Sequence, residues 1–294
     1  MSILKNPRLA IIIAMASFGT LAIFVRNISV TSGELALYRA VLAIILLSGY
    51  FLVTRQSIQL KAIRKELPLL LLSGVAMGFN WILLFEAYKY TTVSVATLSY
   101  YFAPVIVTAV CPFLFKEKLT PKQILCFIMS TLGLVLVIGI SDLGSGAGTD
   151  HIGVAFGLGA AVLYATVVLL NKFIKGVAGI QRTFLQFFAA AVVLIPYVAA
   201  TSGVTLGTMD GKGWVCLLVV GLFHTGVCYC LYFTSLKELS GQEASILSYV
   251  DPLVAVLVSV FILGEAMTVT QLVGGVLILG FTLWNELEPR KKKA

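Results

Sequence analysis

The chain has 294 residues, of which 59% are hydrophobic and only 12% are charged, with a net charge of +8. Its mean hydropathy is +1.01. This composition excludes an ordinary water-soluble domain, in which about a quarter of the residues are charged. It predicts a chain whose solvent is lipid.

Ten apolar runs along the chain are long enough to cross about 30 Å of hydrocarbon as helices. They lie at 8–25, 34–53, 67–88, 93–115, 121–140, 152–174, 180–201, 213–235, 243–264 and 269–287. The runs do not alternate apolar and polar residues, which argues against barrel strands. We therefore predict an all-α integral membrane protein with ten transmembrane helices and no loop long enough to fold separately.

The first run could instead be read as a cleaved signal peptide, because Lys5 and Arg8 precede it. We favour a retained span, since the run is long for a signal peptide and its removal would leave nine spans with an unpaired half. The five cysteines of the chain fall inside predicted spans. They indicate small apolar fillers rather than disulfides or a metal site.

The positions of Lys and Arg predict the orientation of the chain. When alternate sides of the ten spans are compared, 17 of the 21 basic residues fall on the side of the two termini. Arg26, Lys89 and Lys212 fall on the opposite side, and Arg39 lies inside the second span. We expect both termini to be cytoplasmic, in a bacterial inner (plasma) membrane, and the placement of charge gives no reason to expect nucleic acid as a partner.

An internal repeat emerges when the chain is aligned with itself at an offset of 148 residues. The segment Phe85–Gln123 matches Phe233–Gln271 without a gap, and ten of the 39 pairs are identical. The identical pairs are Phe85/Phe233, Lys89/Lys237, Ala96/Ala244, Tyr101/Tyr249, Pro104/Pro252, Val110/Val258, Phe113/Phe261, Glu117/Glu265, Thr120/Thr268 and Gln123/Gln271.

Each half contains five spans, an odd number, so the second half must enter the membrane from the opposite side. We predict two inverted five-helix repeats, at 1–145 and at 146–294, the second ending in a basic cytoplasmic tail. Inverted repeats are typical of secondary transporters, in which two related bundles expose a central site to one side and then to the other.

Two stretches resemble the drug/metabolite transporter superfamily, specifically its ten-helix EamA-type members. They are PLVAVLVSVFILGEAMTVTQLVGGVLILG from Pro252 and a weaker twin, APVIVTAVCPFLFKEKLTPKQILCFIMSTLG, from Ala103, which has Lys116 where the second copy has Gly264. The resemblance implies that spans 1–4 and 6–9 surround a central cavity and that spans 5 and 10 are peripheral. It also implies export of amino acids, nucleobases, drugs or related metabolites, and we favour the branch that exports aromatic amino acids.

Polar side chains at membrane depth are candidate site residues, because they are costly there unless they are partnered or hydrated. Asn80, His224 and Asp251 fall nearest the middle of their spans. Asp251 precedes Pro252, which bends a helix and frees a backbone carbonyl. Asp251 could therefore meet a substrate ammonium group or a proton, or bond to freed backbone groups. His224 could couple transport to protons, although a neutral hydrogen-bonding role suits a lone histidine better.

Two further charged residues fall nearer the ends of their spans. For Arg39 and Glu86 the sequence suggests a structural ion pair. Because Arg39 is the only arginine within a span and no lysine lies at mid-membrane, substrates that need a cationic clamp for phosphate groups are disfavoured.

Aromatic residues supply the rest of the predicted cavity. Tyr101 and Tyr249 stand three residues before Pro104 and Pro252, so each shares a helix face with its proline, and we predict helix breaks or hinges at both prolines. The predicted cavity residues are Phe79, Asn80, Tyr100, Tyr101, Tyr164, His224, Tyr232, Tyr249 and Asp251. Aromatic walls with few polar anchors suit an amphipathic, neutral or zwitterionic solute, and they would also attract an aromatic cation.

The pattern therefore predicts a secondary transporter that exports aromatic and other amphipathic amino acids, or similar metabolites, across the inner membrane. A multidrug exporter for aromatic cations is the alternative within this class. An intramembrane enzyme would need a nucleophile with its base, paired carboxylates or a metal cluster, none of which the sequence offers, and a scaffold would not need an inverted repeat. We expect no metal and no cofactor, and the partners to be a small-molecule substrate and the bilayer. The oligomeric state stays open, and a monomer is compatible with the sequence.

Overall fold

A computed structural model describes residues 6–55, 63–115, 119–138, 150–177, 179–235, 238–239 and 241–287 of the chain. Seven helical segments, some of them made of consecutive helices, have 18 or more residues and the composition of membrane spans. Three shorter apolar helices, Pro121–Val137, Ile246–Ile262 and Val269–Asn285, supply the fifth, ninth and tenth predicted spans. A helix of 17 residues is about 26 Å long, at the lower limit of what crosses a bilayer. The predicted all-helical fold of two repeats is confirmed, although three of its spans are short.

Several spans are built from two consecutive helices. The helices of the first half are α1 (Pro7–Gly19), α2 (Leu21–Val25), α3 (Ser32–Thr54), α4 (Leu67–Tyr90), α5 (Val93–Tyr100), α6 (Ala103–Phe115) and α7 (Pro121–Ile138). Those of the second half are α8 (Asp150–Phe173), α9 (Gly179–Thr201), α10 (Gly211–Leu218), α11 (Cys228–Ser235), α12 (Gly241–Ser248), α13 (Val250–Leu257) and α14 (Val269–Glu286). Two π-helical segments, Val219–Val227 and Val258–Ile262, continue α10 and α13.

Identical residues of the repeat make identical local structures at the start of α7 and α14. Thr268 caps α14 by accepting a hydrogen bond from Gln271 N at 3.2 Å, and the Gln271 side chain accepts one from Thr268 N at 3.0 Å. Thr120 and Gln123 form the same reciprocal pair at the start of α7, at 3.2 and 2.8 Å. This capping box satisfies two backbone N–H groups that the first turn of a helix leaves without partners. It explains why these positions match between the halves.

Helix packing follows the same pseudo-twofold relation as the sequence repeat. The third span packs against the sixth, and the first packs in the same way against the eighth. The fourth span contacts the sixth, as the ninth contacts the first. The fifth and tenth spans pack mainly on each other at the edge of the bundle, where the backbones of Gly133 and Gly274 touch. The remaining eight spans are therefore free to surround the centre of the molecule.

The fourth and ninth spans are broken at equivalent positions. Helix α5 ends at Tyr100 and α6 begins at Ala103, while α12 ends at Ser248 and α13 begins at Val250. The bridging residues Tyr101 and Tyr249 have nearly the same backbone angles, φ −71° and ψ 4° against φ −71° and ψ −7°. Each break lies about one turn before a proline of the repeat, because proline cannot donate a hydrogen bond and crowds the preceding turn. The predicted breaks thus lie where the two prolines require them.

Candidate functional site

The two broken spans meet asymmetrically. Helix α5 of the fourth span packs against α13 of the ninth. Helices α6 and α12, which the repeat relates to α13 and α5, make no contact of comparable extent within the described residues. The pair is therefore closed at one end and separated at the other. We call these ends the Glu265 end and the Glu66 end, after a carboxylate that lies at each.

Glu265 holds the closed end together. Its carboxylate accepts hydrogen bonds from the backbone N–H of Val93 at 2.8 Å and from the Ser259 hydroxyl, and it forms an ion pair with Arg26. Ser259 Oγ in turn accepts a hydrogen bond from Ser94 N at 3.2 Å. Glu265 therefore joins the turn after the first span, the start of α5 and the end of the ninth span. We call Arg26, Val93, Ser259 and Glu265 the Glu265 cluster.

The turn that carries Glu265 needs its glycine. Gly264 has φ +68°, in the left-handed region that residues with a Cβ rarely adopt. This conformation lets the chain fold back, so that Glu265 N donates to Ser259 O at 3.0 Å and its side chain reaches Val93. Gly264 and Glu265, which lie in the stretch that resembles the transporter superfamily, thus have a geometric role at this end. Its counterpart Glu117 lies outside the described residues.

At the other end of the bundle, a different carboxylate connects the halves. Glu66, before the third span, accepts hydrogen bonds from the backbone N–H groups of Lys175 at 3.2 Å and Gly176 at 2.9 Å. These groups belong to the connection between α8 and α9. The link fastens the third span to the sixth and seventh, but it does not involve the fourth and ninth spans. It therefore leaves the separation of α6 from α12 unaffected.

Asp251 lies at the centre, just beyond the break in the ninth span. Its Oδ2 accepts a hydrogen bond of 2.5 Å from the hydroxyl of Tyr101, which lies at the break in the fourth span. The Tyr101 ring packs edge-on against Tyr100, whose centroid is 5.7 Å away, and Tyr100 lies 5.4 Å from Tyr164. Tyr164 keeps 40% of its surface exposed. These residues form an aromatic wall beside the only carboxylate that the described part of the bundle places at mid-depth.

Arg39, in the second span, has surroundings that contradict the predicted ion pair. The residue is only 4% exposed, its Nε donates to Thr225 Oγ1 at 2.6 Å, and its guanidinium lies 4.5 Å from the Trp81 ring centroid. Glu86 instead accepts a hydrogen bond from Lys89 at 2.9 Å, one turn along its own helix. The prediction of an Arg39–Glu86 pair is therefore wrong. Depth along a span did not reveal that the two side chains face different neighbours.

The position of Arg39 depends on an irregular stretch of the eighth span. In the π-helical segment Val219–Val227, Thr225 Oγ1 donates to the carbonyl five residues earlier, at 2.8 Å, while it accepts from Arg39. A Cβ on Gly221 would lie 2.7 Å from Leu42 Cβ, so this glycine permits the close approach of the second and eighth spans. π-Helical turns often occur at functional sites. Here the turn brings a hydroxyl to the arginine.

Three of the predicted cavity residues take part in helix packing instead. Asn80 is 2% exposed and donates to Ala160 O at 2.6 Å, which ties the third span to the sixth. His224 is 1% exposed, and its ring nitrogens lie 3.1 Å from Thr20 Oγ1 and 3.2 Å from a backbone carbonyl of its own helix. Phe79 packs edge-on against Tyr197, with ring centroids 5.6 Å apart. Asn80 and His224 lack the accessible polar surface of residues that line an open site, whereas Phe79 is only partly buried.

The remaining predicted tyrosines lie around the centre. Tyr232 and Tyr164 are near enough to interact electrostatically, and Tyr164 is also near Asp251. Tyr249, at the break in the ninth span, is 9% exposed. The structure therefore brings Tyr100, Tyr101, Tyr164, Tyr232 and Asp251 together. Within the described ranges, no three His, Cys, Asp or Glu residues are close enough to hold a metal ion.

Sequence reasoning missed three contributors to the centre. Tyr88 and Tyr229 both lie close enough to interact electrostatically with Arg39 and with Asp251, and Thr225 bonds to Arg39 directly. Nothing in the spacing of Tyr88 or Thr225 distinguishes them from other residues of their spans. The sequence could have indicated that Arg39 belongs to the centre, because it is the only arginine inside a predicted span.

The geometry defines a polytopic membrane protein whose two inverted halves meet at a central aromatic site. Comparison with known sequences gives the family. The model of the EamA-like transporter family matches twice, at residues 7–139 and 151–285. The chain belongs to this family, and the two matches coincide with the two repeats.

Relatives in several organisms are named as transporters. An uncharacterized transporter, YxxF, of Bacillus subtilis strain 168 is 30% identical over 267 residues, which cover 91% of this chain and 85% of the relative. An uncharacterized transporter of Archaeoglobus fulgidus is 29% identical and covers 94% of this chain and 96% of its own length. Protein PecM of Dickeya dadantii is 26% identical over 71% of this chain and 70% of its own.

One solved crystal structure shares the fold. It superposes with a TM-score of 0.64, covering 94% of this chain and 95% of the other at 17% sequence identity. A likeness at this identity carries information about the architecture alone. The family match and the relatives establish a membrane transporter of the EamA-like family, and the crystal structure agrees with it in architecture.

Proposed function

We propose that this protein is a secondary transporter that exports small amphipathic metabolites, aromatic amino acids in particular, by alternating access. The observation that carries the proposal is the asymmetric meeting of the fourth and ninth spans, closed between α5 and α13 and separated between α6 and α12. Two halves of similar sequence hold these helices in unlike arrangements. Such asymmetry is what one conformation of an alternating transporter requires.

The opposite conformation follows from the repeat. If each half adopted the arrangement of the other, α12 would pack against α6, and α5 would separate from α13. The centre, with Asp251 and Tyr101 at the two breaks, would then open at the Glu265 end instead. The breaks provide the points at which the two halves of each span can rotate separately, so Pro104 and Pro252 act as hinges in this proposal.

The orientation of the chain gives the direction. We propose that both termini are cytoplasmic, that the membrane is a bacterial inner membrane, and that residues 1–145 and 146–294 are the two moving units. The Glu265 end then faces outward, and the observed conformation opens toward the cytoplasm, where an exporter loads its substrate. A single chain contains the whole site, so the proposal needs no second copy.

The substrate class rests on the chemistry of the central residues. Tyr100, Tyr101, Tyr164 and Tyr232 offer flat faces, and Asp251 offers one carboxylate at their centre. Pockets with apolar and aromatic walls and few polar groups suit amphipathic solutes, and the carboxylate suits an ammonium group. This arrangement supports a transporter, because aromatic faces around one carboxylate offer a binding surface for a small solute.

A second candidate within the same class is an exporter of aromatic cations. The same tyrosine faces attract cations, and Asp251 would be the counter-charge. If this candidate is correct, purified protein binds an aromatic cation such as ethidium, and Asp251→Asn abolishes that binding. Unchanged binding by Asp251→Asn would exclude this version of the function.

Counterflow in proteoliposomes tests the proposal. Vesicles with purified protein are loaded with an unlabelled amino acid, and uptake of its radiolabelled form is measured at two pH values against empty vesicles. We expect counterflow of phenylalanine, tyrosine or tryptophan, with a strong reduction in Asp251→Asn. The absence of flux for every amino acid and for the aromatic cation would contradict the proposed function.

A further inference from the structure

The central site contains two opposite charges that do not neutralise each other. Arg39 and Asp251 are near enough for their charges to interact, yet they form no ion pair within 4 Å. Across the described residues, the hydrogen bonds of Arg39 involve only Nε, and those of Asp251 only Oδ2. Among the residues that the structure describes, the two terminal guanidinium nitrogens and Asp251 Oδ1 have no hydrogen-bond partner.

The same aromatic residues surround both charges. Tyr88, Tyr100 and Tyr229 each lie close enough to interact electrostatically with Arg39 and with Asp251. Arg39 comes from the second span and Asp251 from the ninth, so the charges belong to different repeats. The two charges thus come from different repeats and share the same tyrosine neighbours.

We propose that Arg39 and Asp251 form a two-pole site for an aromatic zwitterion, in which the ligand carboxylate binds the terminal guanidinium nitrogens and its ammonium group binds Asp251 Oδ1. This inference rests on the proposed function and adds the residue that recognises the carboxylate. A ligand with both charges compensates both buried groups at once. An unpaired charge in a low-dielectric site is costly, so each pole favours a ligand that carries its counterpart.

The immediate surroundings of Arg39 fit a carboxylate receptor. The bond from Nε to Thr225 and the stacking on Trp81 fix the guanidinium plane, while its two-nitrogen edge is left for a ligand. Guanidinium groups bind carboxylates through two parallel hydrogen bonds, and a group already held in place loses less freedom on binding. A cation, by contrast, would gain from Asp251 but would be repelled by Arg39.

Calorimetric titration of the purified full-length protein with four probes tests the two poles separately. L-Phenylalanine and L-tryptophan carry both charges, L-phenylalaninamide lacks the carboxylate, and 3-phenylpropanoate lacks the ammonium group. We expect wild-type protein to bind at least one of the two amino acids about tenfold or more tightly than either analogue. Arg39→Gln should remove the preference for the amino acid over the amide, while the amide binds at least as tightly as it does to wild-type protein, because its repulsion by Arg39 is gone.

Asp251→Asn should have the reciprocal effect, reducing the affinity for the amino acid to that for 3-phenylpropanoate. Arg39→Lys keeps the positive charge but cannot form two parallel hydrogen bonds, so it should retain part of the preference for the amino acid over the amide. This partial effect would show that the loss in Arg39→Gln does not come from a failure to fold. Lys89→Gln serves as the control, because it removes a positive charge from an exposed pair with Glu86 outside the centre. It should not change the order of affinities.

The results separate this inference from the proposed function. If Arg39→Gln weakens all probes equally or none of them, or if wild-type protein binds neither amino acid, the two-pole site is wrong. Counterflow that persists while Arg39→Gln binds amino acids normally would refute the site and preserve the transporter. Charge-selective binding without flux in proteoliposomes would preserve the site and refute the transporter.

Discussion

The two ends of the fourth and ninth spans differ more than their sequences do. At the Glu265 end, α5 and α13 are in contact and the Glu265 cluster joins them to the first span. At the Glu66 end, α6 and α12 carry matching residues of the repeat but make no comparable contact within the described chain. Because the repeat relates the two ends, the proposed function predicts that the separated end can also adopt the closed arrangement.

Sequence differences nevertheless favour closure at the Glu265 end. The counterpart of Gly264 is Lys116, and the counterpart of Ser259 is Cys111. The turn at Gly264 needs a left-handed conformation that a lysine adopts only with strain, and a thiol is a weaker hydrogen-bond donor than a hydroxyl. Only the glutamate itself is kept in both halves. In the proposed mechanism, the repeat supplies the two states, and we expect the few unmatched residues to decide which one is stable.

The largest effect should come from locking the closed end. Ser94 N lies 3.2 Å from Ser259 Oγ, so cysteines at these two positions fall within the separation of about 7 Å that a disulfide permits between Cα atoms. In a Cys111→Ser background, we expect Ser94→Cys with Ser259→Cys to cross-link under mild oxidation. Counterflow should then fall to the level of empty vesicles and recover on reduction.

The repeat offers a matched control for this lock. The equivalent positions at the separated end are Gln242 and the native Cys111. Gln242→Cys should not cross-link to Cys111 in the resting protein, because α12 and α6 are apart there. Equally rapid cross-linking of both pairs would show that the two ends do not differ as described.

A smaller effect is expected from weakening the Glu265 cluster. Glu265→Gln removes the charge that pairs with Arg26 and that accepts from Val93 N. A hydrogen bond to a charged group contributes about 1.5–3 kcal/mol, and the partial exposure of Arg26 reduces the gain from its ion pair. We expect about a tenfold shift toward opening of this end. The rate at which a membrane-impermeant maleimide labels a cysteine introduced at Ser94 would measure this shift. An unchanged labelling rate would show that the Glu265 cluster does not hold this end closed.

The smallest effect should follow from changing the other carboxylate near this end. Glu86 contacts Lys89 in a pair whose side chains are 24% and 49% exposed. Exposed pairs contribute little, so Glu86→Gln should leave counterflow and maleimide labelling within about twofold of wild type. A large loss of transport would instead indicate that Glu86 acts in the site, as the discarded pairing with Arg39 would have required.

Much of the architecture could be predicted from the chain alone. The apolar runs gave ten spans because only helices satisfy backbone hydrogen bonds in lipid. The offset of 148 residues gave the two halves, and it related Tyr101 to Tyr249 and Pro104 to Pro252, where both helices break. These features are visible in sequence because they depend on local chemistry: hydrophobic length, the missing N–H of proline and the caps of helices.

The site was less accessible to sequence reasoning. Asp251 was predicted to lie at the centre, but its hydrogen bond with Tyr101 joins residues 150 positions apart. Asn80 and His224 stood at a suitable depth, and they face neighbouring helices instead. Depth can be read from position in a span, whereas the face of the helix that meets the centre depends on rotation and packing.

The sequence by itself thus determined the solvent, the number of spans, the inverted duplication and the positions of the helix breaks, because each of these follows from residues close together in the chain. Only the tertiary structure decided which end is closed, that Arg39 stacks on Trp81 and binds Thr225 rather than Glu86, and that Arg39 lies near Asp251. Those outcomes depend on how distant helices approach and turn relative to one another. Local patterns in the sequence do not reveal that geometry.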